Sequence, residues 1–103
     1  MDSEPIKRIE VIIEALQLKT ALDVIERAGA TGYTVVPHVY GKGHRGMHAD
    51  LGFSDVLKNV LVIVVARRSV ADSIATNLAP ILEGFTGFAV ITAVERTIGS
   101  HFV

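Results

Sequence analysis

The 103-residue sequence predicts an α+β sandwich, four antiparallel strands with two helices on one face. Three observations carry that prediction. Apolar residues alternate at a period of two, change to a helical period, and then do both again. The stretches "GATGYTVV" (29–36) and "GFTGFAVI" (84–91) share Gly-x-Thr-Gly-aromatic followed by apolar residues, 55 positions apart. Val and Ile dominate the alternating segments, as a sheet requires. In both repeats the pattern has one glycine ending a helix and a second starting a strand. A β-α-β unit written twice is the ferredoxin-like βαββαβ plan.

The elements follow in order. From Ile6 to Glu14, Ile9, Val11 and Ile13 share one face while Arg8, Glu10 and Glu14 take the other, which predicts a half-buried strand. Leu18, Ala21, Leu22, Ile25 and Ala28 then fall on one helical face opposite Lys19, Asp23 and Arg27, and Gly29 supplies a helix stop. A second strand spans Gly32 to Tyr40. The third, Val56 to Ala66, contains seven consecutive apolar residues from Val60 and reads as buried on both faces. Ser69, with Asp72 three residues on, resembles a helix N-cap. The helix from about Val70 to Glu83 should bury Ile74, Leu78, Ile81 and Leu82, with Pro80 kinking it or disturbing its last turn. Phe85 to Arg96 makes the fourth strand.

One face of this sheet has no helix to cover it. With so much Val and Ile, self-association of sheet against sheet is the expected cover. The length fits one domain, 1–103, and a formal net charge of -1 gives no global attraction to nucleic acid or anionic membrane. There is no cysteine, which excludes disulfides, thiolate catalysis and Cys-based zinc sites. The acidic start, Met1-Asp2-Ser3-Glu4, leads into apolar alternation, and no apolar run reaches the roughly 18 residues of a membrane span, so the expectation is a cytoplasmic protein.

Between the second and third strands lies "GKGHRGMHADLG" (41–52), within a connection of about 14 residues, Gly41 to Ser54. A hairpin needs only two to about five, and loops this long are functional or disordered. A mobile, solvated surface loop is one reading, and two chemistries compete with it. Glycine amides with Lys42 and Arg45 suit an anion such as phosphate, although the Walker A order is missing. His44 and His48, with His38 and Asp50 nearby, are candidate ligands for zinc, copper or nickel, but glycines at 43, 46 and 52 argue against the helix that their spacing would suit. No catalytic constellation is legible. Glu10 and Glu14 on one strand face read as solvated charges or as ion-pair partners of residues such as Arg8.

Taken together, "LKTALDVIERAGATGYTVV", "GKGHRG", "EGFTGFAVI" and "VERTIGSHF" resemble the PII signal-transduction superfamily, most closely its SbtB-like branch of PII-like partners of bicarbonate transporters. The resemblance covers nearly the whole chain. It implies a homotrimer with sheets facing inward and adenine nucleotides in the clefts between subunits. It implies a T-loop at about 41–54, a B-loop at about 84–89 and a C-terminal loop at about 96–103. Gly41, Lys42, Gly43 and Arg45 would then stand beside the phosphates, and Thr34 beside the adenine. Gly84, Phe85, Thr86, Gly87, Phe88 and Ala89 would form the B-loop, and Arg96 would reach in from the C-terminal side. A non-enzymatic sensor is implied, with no cofactor and no resident metal, reading AMP, ADP, cAMP or ATP and docking its T-loop on a bicarbonate or other membrane transporter, which would recruit it to the membrane.

The departures carry information. Phe88-Ala89 stand where other members carry a phosphate-clamping lysine. The T-loop holds neither a tyrosine for uridylylation nor a glutamine for 2-oxoglutarate and magnesium sensing. One extra residue, around Pro37, separates Gly-Tyr-Thr from Gly-Lys-Gly. The competing assignments are a trimeric CutA-like metal-binding protein using His38, His44 and His48, and an ACT-like regulatory domain, which would share the element order without needing the basic loop.

Overall fold

The computed structural model describes residues 4–41, 58–85 and 87–99. Four strands and two helices follow one another as β1 (Ile6–Glu14), a 3-10 turn (Ala15–Gln17), α1 (Leu18–Arg27), β2 (Thr34–Val39), β3 (Asn59–Arg67), α2 (Arg68–Gly84) and β4 (Phe88–Val94). The sheet order is β2-β3-β1-β4 with every neighbouring pair antiparallel, the topology the doubled unit predicts.

Alternation decides which face is core. Ile9, Val11 and Ile13 of β1 and Val60, Val62, Val64 and Ala66 of β3 are buried, together with Ala21 and Ile25 of α1 and Ala71, Ile74 and Leu78 of α2. Each large aliphatic side chain contributes about 1.5–3 kcal/mol when fully buried. A one-residue slip of β1 would expose Ile9, Val11 and Ile13 and drive Arg8 and Glu10 inward, so the register is strongly fixed. The run Val60 to Ala66, expected to be buried on both sides, is two-faced instead: Leu61, Ile63 and Val65 are only partly buried, on the side away from the helices. Among the described residues nothing covers that side.

The helix ends differ from one another. Gly29 (φ +107°) closes α1, its N–H donating to Glu26 O at 3.0 Å and that of Ala30 to Ile25 O at 3.3 Å, the paired bonds of a Schellman motif. At the start of α2 the expected Ser69 cap does not form. Helix α2 begins one residue before it, and Arg67 stands at the N-cap without a side-chain capping bond. The orphan amides are served from outside. Glu4 accepts the Ser69 N–H at 2.8 Å and its hydroxyl at 3.2 Å, and the Arg68 N–H donates to Pro5 O at 2.9 Å. Helix α2 also continues through exposed Pro80 to Gly84, and the Phe85 N–H still donates to Ile81 O at 3.1 Å. The helix thus overruns the expected stop, and β4 begins at Phe88 rather than Phe85. Ile81 and Leu82 pack against the core only partly buried.

Candidate functional site

The loop end of the sheet is where β1 and β2 finish and β3 and β4 begin. Thr34 opens β2 and is exposed; its register opposite Ile63 puts its side chain on the helix-free face. Gly41 lies two residues past the end of β2, with open space where a side chain would stand. Lys42, Gly43 and Arg45 lie outside the described residues.

The second group surrounds the turn from α2 into β4. Gly84, the last residue of α2, has open space around it, and Phe85 beyond it is exposed. Thr86 lies outside the described residues. Gly87 is tightly enclosed: its N–H donates to Leu82 O at 3.2 Å, and a methyl group there would stand 2.9 Å from the Ile12 carbonyl oxygen. Only glycine lets the chain pass that close to β1. Phe88 pairs with Ile12, so its ring stands on the helix-free face, 57% exposed, while Ala89 pairs with Val11 and turns toward the core.

Distance separates these groups within one chain. Thr34 and Gly41 belong to the β2 edge, and Gly84 and Phe85 at the end of α2 and Gly87 to Ala89 lead into the β4 edge, with β3 and β1 between them. Three interstrand spacings make roughly 14 Å. Arg96 is more remote, because β4 runs from the loop end at Phe88 to Val94 beside Ile6, a length of roughly 20 Å, and Arg96 follows two residues later. Among the described residues, a single chain does not gather Thr34, Gly41, Gly87 and Arg96 into one pocket.

Between the two edges stretches the helix-free face, largely apolar, with Val36, Phe88 and Val90 well exposed. One ion pair interrupts it: Arg8 Nε donates to Glu10 Oε2 at 2.7 Å, as the strand pattern allows. Next to the β2 edge, the Tyr33 hydroxyl donates to Glu26 Oε2 at 3.3 Å, tying the start of β2 to the end of α1. Lost solvation first, then the charge and hydrogen bond of Glu26 and the charge of Asp23, hold that phenol above its ordinary value of 10.0.

Among the described residues no three His, Asp or Glu side chains gather as metal ligands. His44, His48 and Asp50 lie outside them, and His38 stands exposed on β2. No helix of the described residues is long and apolar enough to cross a membrane. Sequence reasoning did not foresee the Glu4 cap, for which a lone acidic residue 65 positions away offers no signal. It also did not foresee a β-bulge between Val36 and Val39, for which Pro37 inside a strand was the available sign.

Comparison with known proteins gives a consistent match. The family model described as nitrogen regulatory protein P-II matches residues 6–100. CPII of Thiomonas intermedia, a nitrogen regulatory PII-like protein solved with ADP, AMP and bicarbonate bound, is 28% identical; the match covers 87% of this chain and 86% of that one, with a TM-score of 0.76. A PII-like signalling protein of Thermus thermophilus is 26% identical over 91% of each chain, with a TM-score of 0.72. GlnK of B. subtilis, 15% identical over 93% of this chain and 90% of that one, agrees in fold with a TM-score of 0.67.

Proposed function

The chain belongs to the nitrogen regulatory protein P-II family, a family of signalling regulators, and from that premise we propose that it is a non-enzymatic sensor of adenine nucleotides. The nucleotide lies between subunits of a homotrimer. One observation carries this reading: Thr34 and Gly41 sit on one edge of the sheet and Gly87 to Ala89 on the other, so each chain offers two half-sites that only a neighbour can complete. Copies arranged around a threefold axis bring the β2 edge of one beside the β4 edge of the next. The same arrangement covers the apolar helix-free face, on which Val36, Phe88 and Val90 stand open in the single chain.

The division of labour follows from residue chemistry. The Thr34 hydroxyl and nearby backbone groups read the adenine edge. Glycine amides at Gly41 and Gly43, with Lys42 and Arg45, hold the phosphates, and Arg96 closes the cleft from the neighbouring copy. Gly84, Phe85, Thr86 and Gly87 form its opposite wall. Where other members place a lysine, Phe88 presents an exposed ring and Ala89 a methyl turned inward, so one phosphate contact is absent. AMP and ADP, the nucleotides bound to CPII, therefore compete well with ATP.

Nucleotide occupancy orders the loop from 41 to 54, and that loop docks on a protein target, a bicarbonate or other membrane transporter. Ordering costs about 1 kcal/mol or more per residue, so occupancy is well placed to tip the balance. Isothermal titration with AMP, ADP and ATP, run beside a native mass measurement, tests the reading. Micromolar binding by a trimer is expected, and Arg45→Ala should weaken it by about 1.5–3 kcal/mol. A monomer, or a trimer silent toward millimolar adenylates, would overturn it.

A further inference from the structure

Strand β1, an inner strand of the sheet, carries two charges in the middle of the helix-free face. Arg8 and Glu10 both stand on that side, because Ile9 and Val11 alternate with them and are buried in the core. Arg8 lies beside Val65 of β3 and Thr92 of β4, and Glu10 beside Ile63 and Val90. The other charged strand residues of this face, Glu14 and Arg67, stand at its opposite ends, paired with Asn59 and Ile6. A surface laid over the sheet must therefore meet a cation and an anion at its centre.

The pair is only half satisfied by itself. Arg8 Nε donates to Glu10 Oε2 at 2.7 Å, and among the described residues neither side chain has a further bond. The guanidinium keeps its terminal N–H donors and the carboxylate its Oε1 for other partners. Water serves them in the single chain, where the two side chains are 45% and 38% exposed. Covering the face removes that water, and a buried charge without partners is costly, so a neighbour that covers the pair must also bond it.

The direction of the pair supplies that partner. Two residues along a strand span roughly 7 Å, so Arg8 and Glu10 form a short dipole lying along β1. In a cyclic assembly each copy meets the next by unlike surfaces, head to tail. Three such dipoles close on one another, Glu10 of each copy facing Arg8 of the next. The charge pattern of one chain is then the complement that its neighbour needs.

We propose that the Arg8–Glu10 pairs of three copies join into one ring of alternating charges that fixes how the copies face each other. The inference rests on the homotrimer of the reading above, not on its nucleotide, and goes beyond it by naming the contact that selects the assembly. A pair serving one chain alone would be a surface ion pair of little consequence, whereas a ring makes each charge a condition of assembly.

Exchange of the two residues, Arg8→Glu together with Glu10→Arg, separates the two roles. The exchanged chain keeps its internal pair and reverses its dipole. It should form trimers by itself in native mass spectrometry, since three reversed dipoles close equally well. Refolded together with isotope-labelled wild type it should sort away from it, with mixed trimers below about one tenth of their statistical share, because a reversed dipole sets like charges against both neighbours. Arg8→Glu alone and Glu10→Arg alone should each dissociate at least about tenfold more readily on dilution. Free mixing of exchanged and wild-type chains overturns the proposal. Single reversals that assemble as tightly as the wild type overturn it too, as does an exchanged chain that folds and stays monomeric. Should the exchanged chain fail to fold, Arg8→Gln with Glu10→Gln decides: a trimer at least about tenfold weaker supports the ring, and unchanged assembly overturns it. A wild-type trimer with these contrary outcomes refutes this inference alone, whereas a wild-type monomer removes the homotrimer reading with it.

Discussion

Replacing Gly87 by alanine adds one methyl group in a place with no room for it. The new Cβ would stand 2.9 Å from Ile12 O, 2.9 Å from Leu82 Cδ2 and 3.3 Å from Ile13 Cγ1. These neighbours differ in how far they can yield. Leu82 is only partly buried, and its terminal methyl can rotate away. The Ile12 carbonyl is backbone in a strand paired to Leu61 on one side and Phe88 on the other, so it cannot retreat without disturbing both ladders. The start of β4 must move instead. Overpacking of this kind costs about 1–3 kcal/mol. For a domain near this size each kcal/mol lowers Tm by about 4–8 °C, so a fall of about 5–20 °C is expected in a thermal melt at fixed protein concentration. Gly84→Ala is the control, because nothing lies within 4 Å of its added methyl, and its Tm should hold or rise. A Gly87→Ala protein melting within about 2 °C of the wild type would refute the packing argument.

Three further outcomes follow from the same structure. Glu4→Ala removes both bonds to Ser69 and should destabilise by about 1 kcal/mol, read as a lower urea midpoint, while Ser69→Ala costs less because its backbone N–H remains a donor. Thr34→Val removes a hydroxyl at nearly constant volume and should weaken adenylate binding by about 0.5–1.5 kcal/mol in a titration while leaving Tm nearly unchanged. Tyr33 gives a pH signature: its folded pKa lies above 10.0, so the stability it contributes is complete below that value and is lost as pH rises through the folded one. Urea midpoints at about pH 9 and about pH 11 should therefore separate further for the wild type than for Tyr33→Phe.

Much of this fold was legible because two periods announce it. The spans Ile6–Glu14 and the helix from Leu18 emerge as read, since alternation and the i, i+3, i+4 spacing each had a clear apolar partner set. The errors gather at the second copy of the repeat. Gly29 adopts positive φ and stops α1, whereas Gly84, absent from the positive-φ glycines, is simply the last residue of a longer helix. Gly29 and Gly84, matched in the repeat, therefore have unequal backbones, and the expected start of β4 at Phe85 falls three residues before the observed Phe88. The cap of α2 was illegible for a different reason. Its acceptor, Glu4, comes from the far end of the chain, and local pattern cannot see a tertiary hydrogen bond.

The candidate site was legible in composition but not in assembly. Glycines, basic residues and Gly-Tyr-Thr mark the candidate segments, and among the described residues Thr34 and Gly41 lie at one sheet edge, Gly87 to Ala89 at the other and Arg96 past the far end of β4. That separation is itself an argument about assembly. A protein that used these residues alone would place Thr34 and Phe88 on adjacent strands, whereas here β3 and β1 stand between them, and the face that spans the gap mixes apolar residues such as Leu61, Ile63 and Val90 with polar ones, among them the Arg8–Glu10 pair, Asn59 and Thr92. Exposed Val36, Phe88 and Val90 favour contact with another apolar surface. In the homotrimer proposed above, burial of the helix-free face and completion of the half-sites would be one event, which would couple occupancy of the cleft to the stability of the assembly.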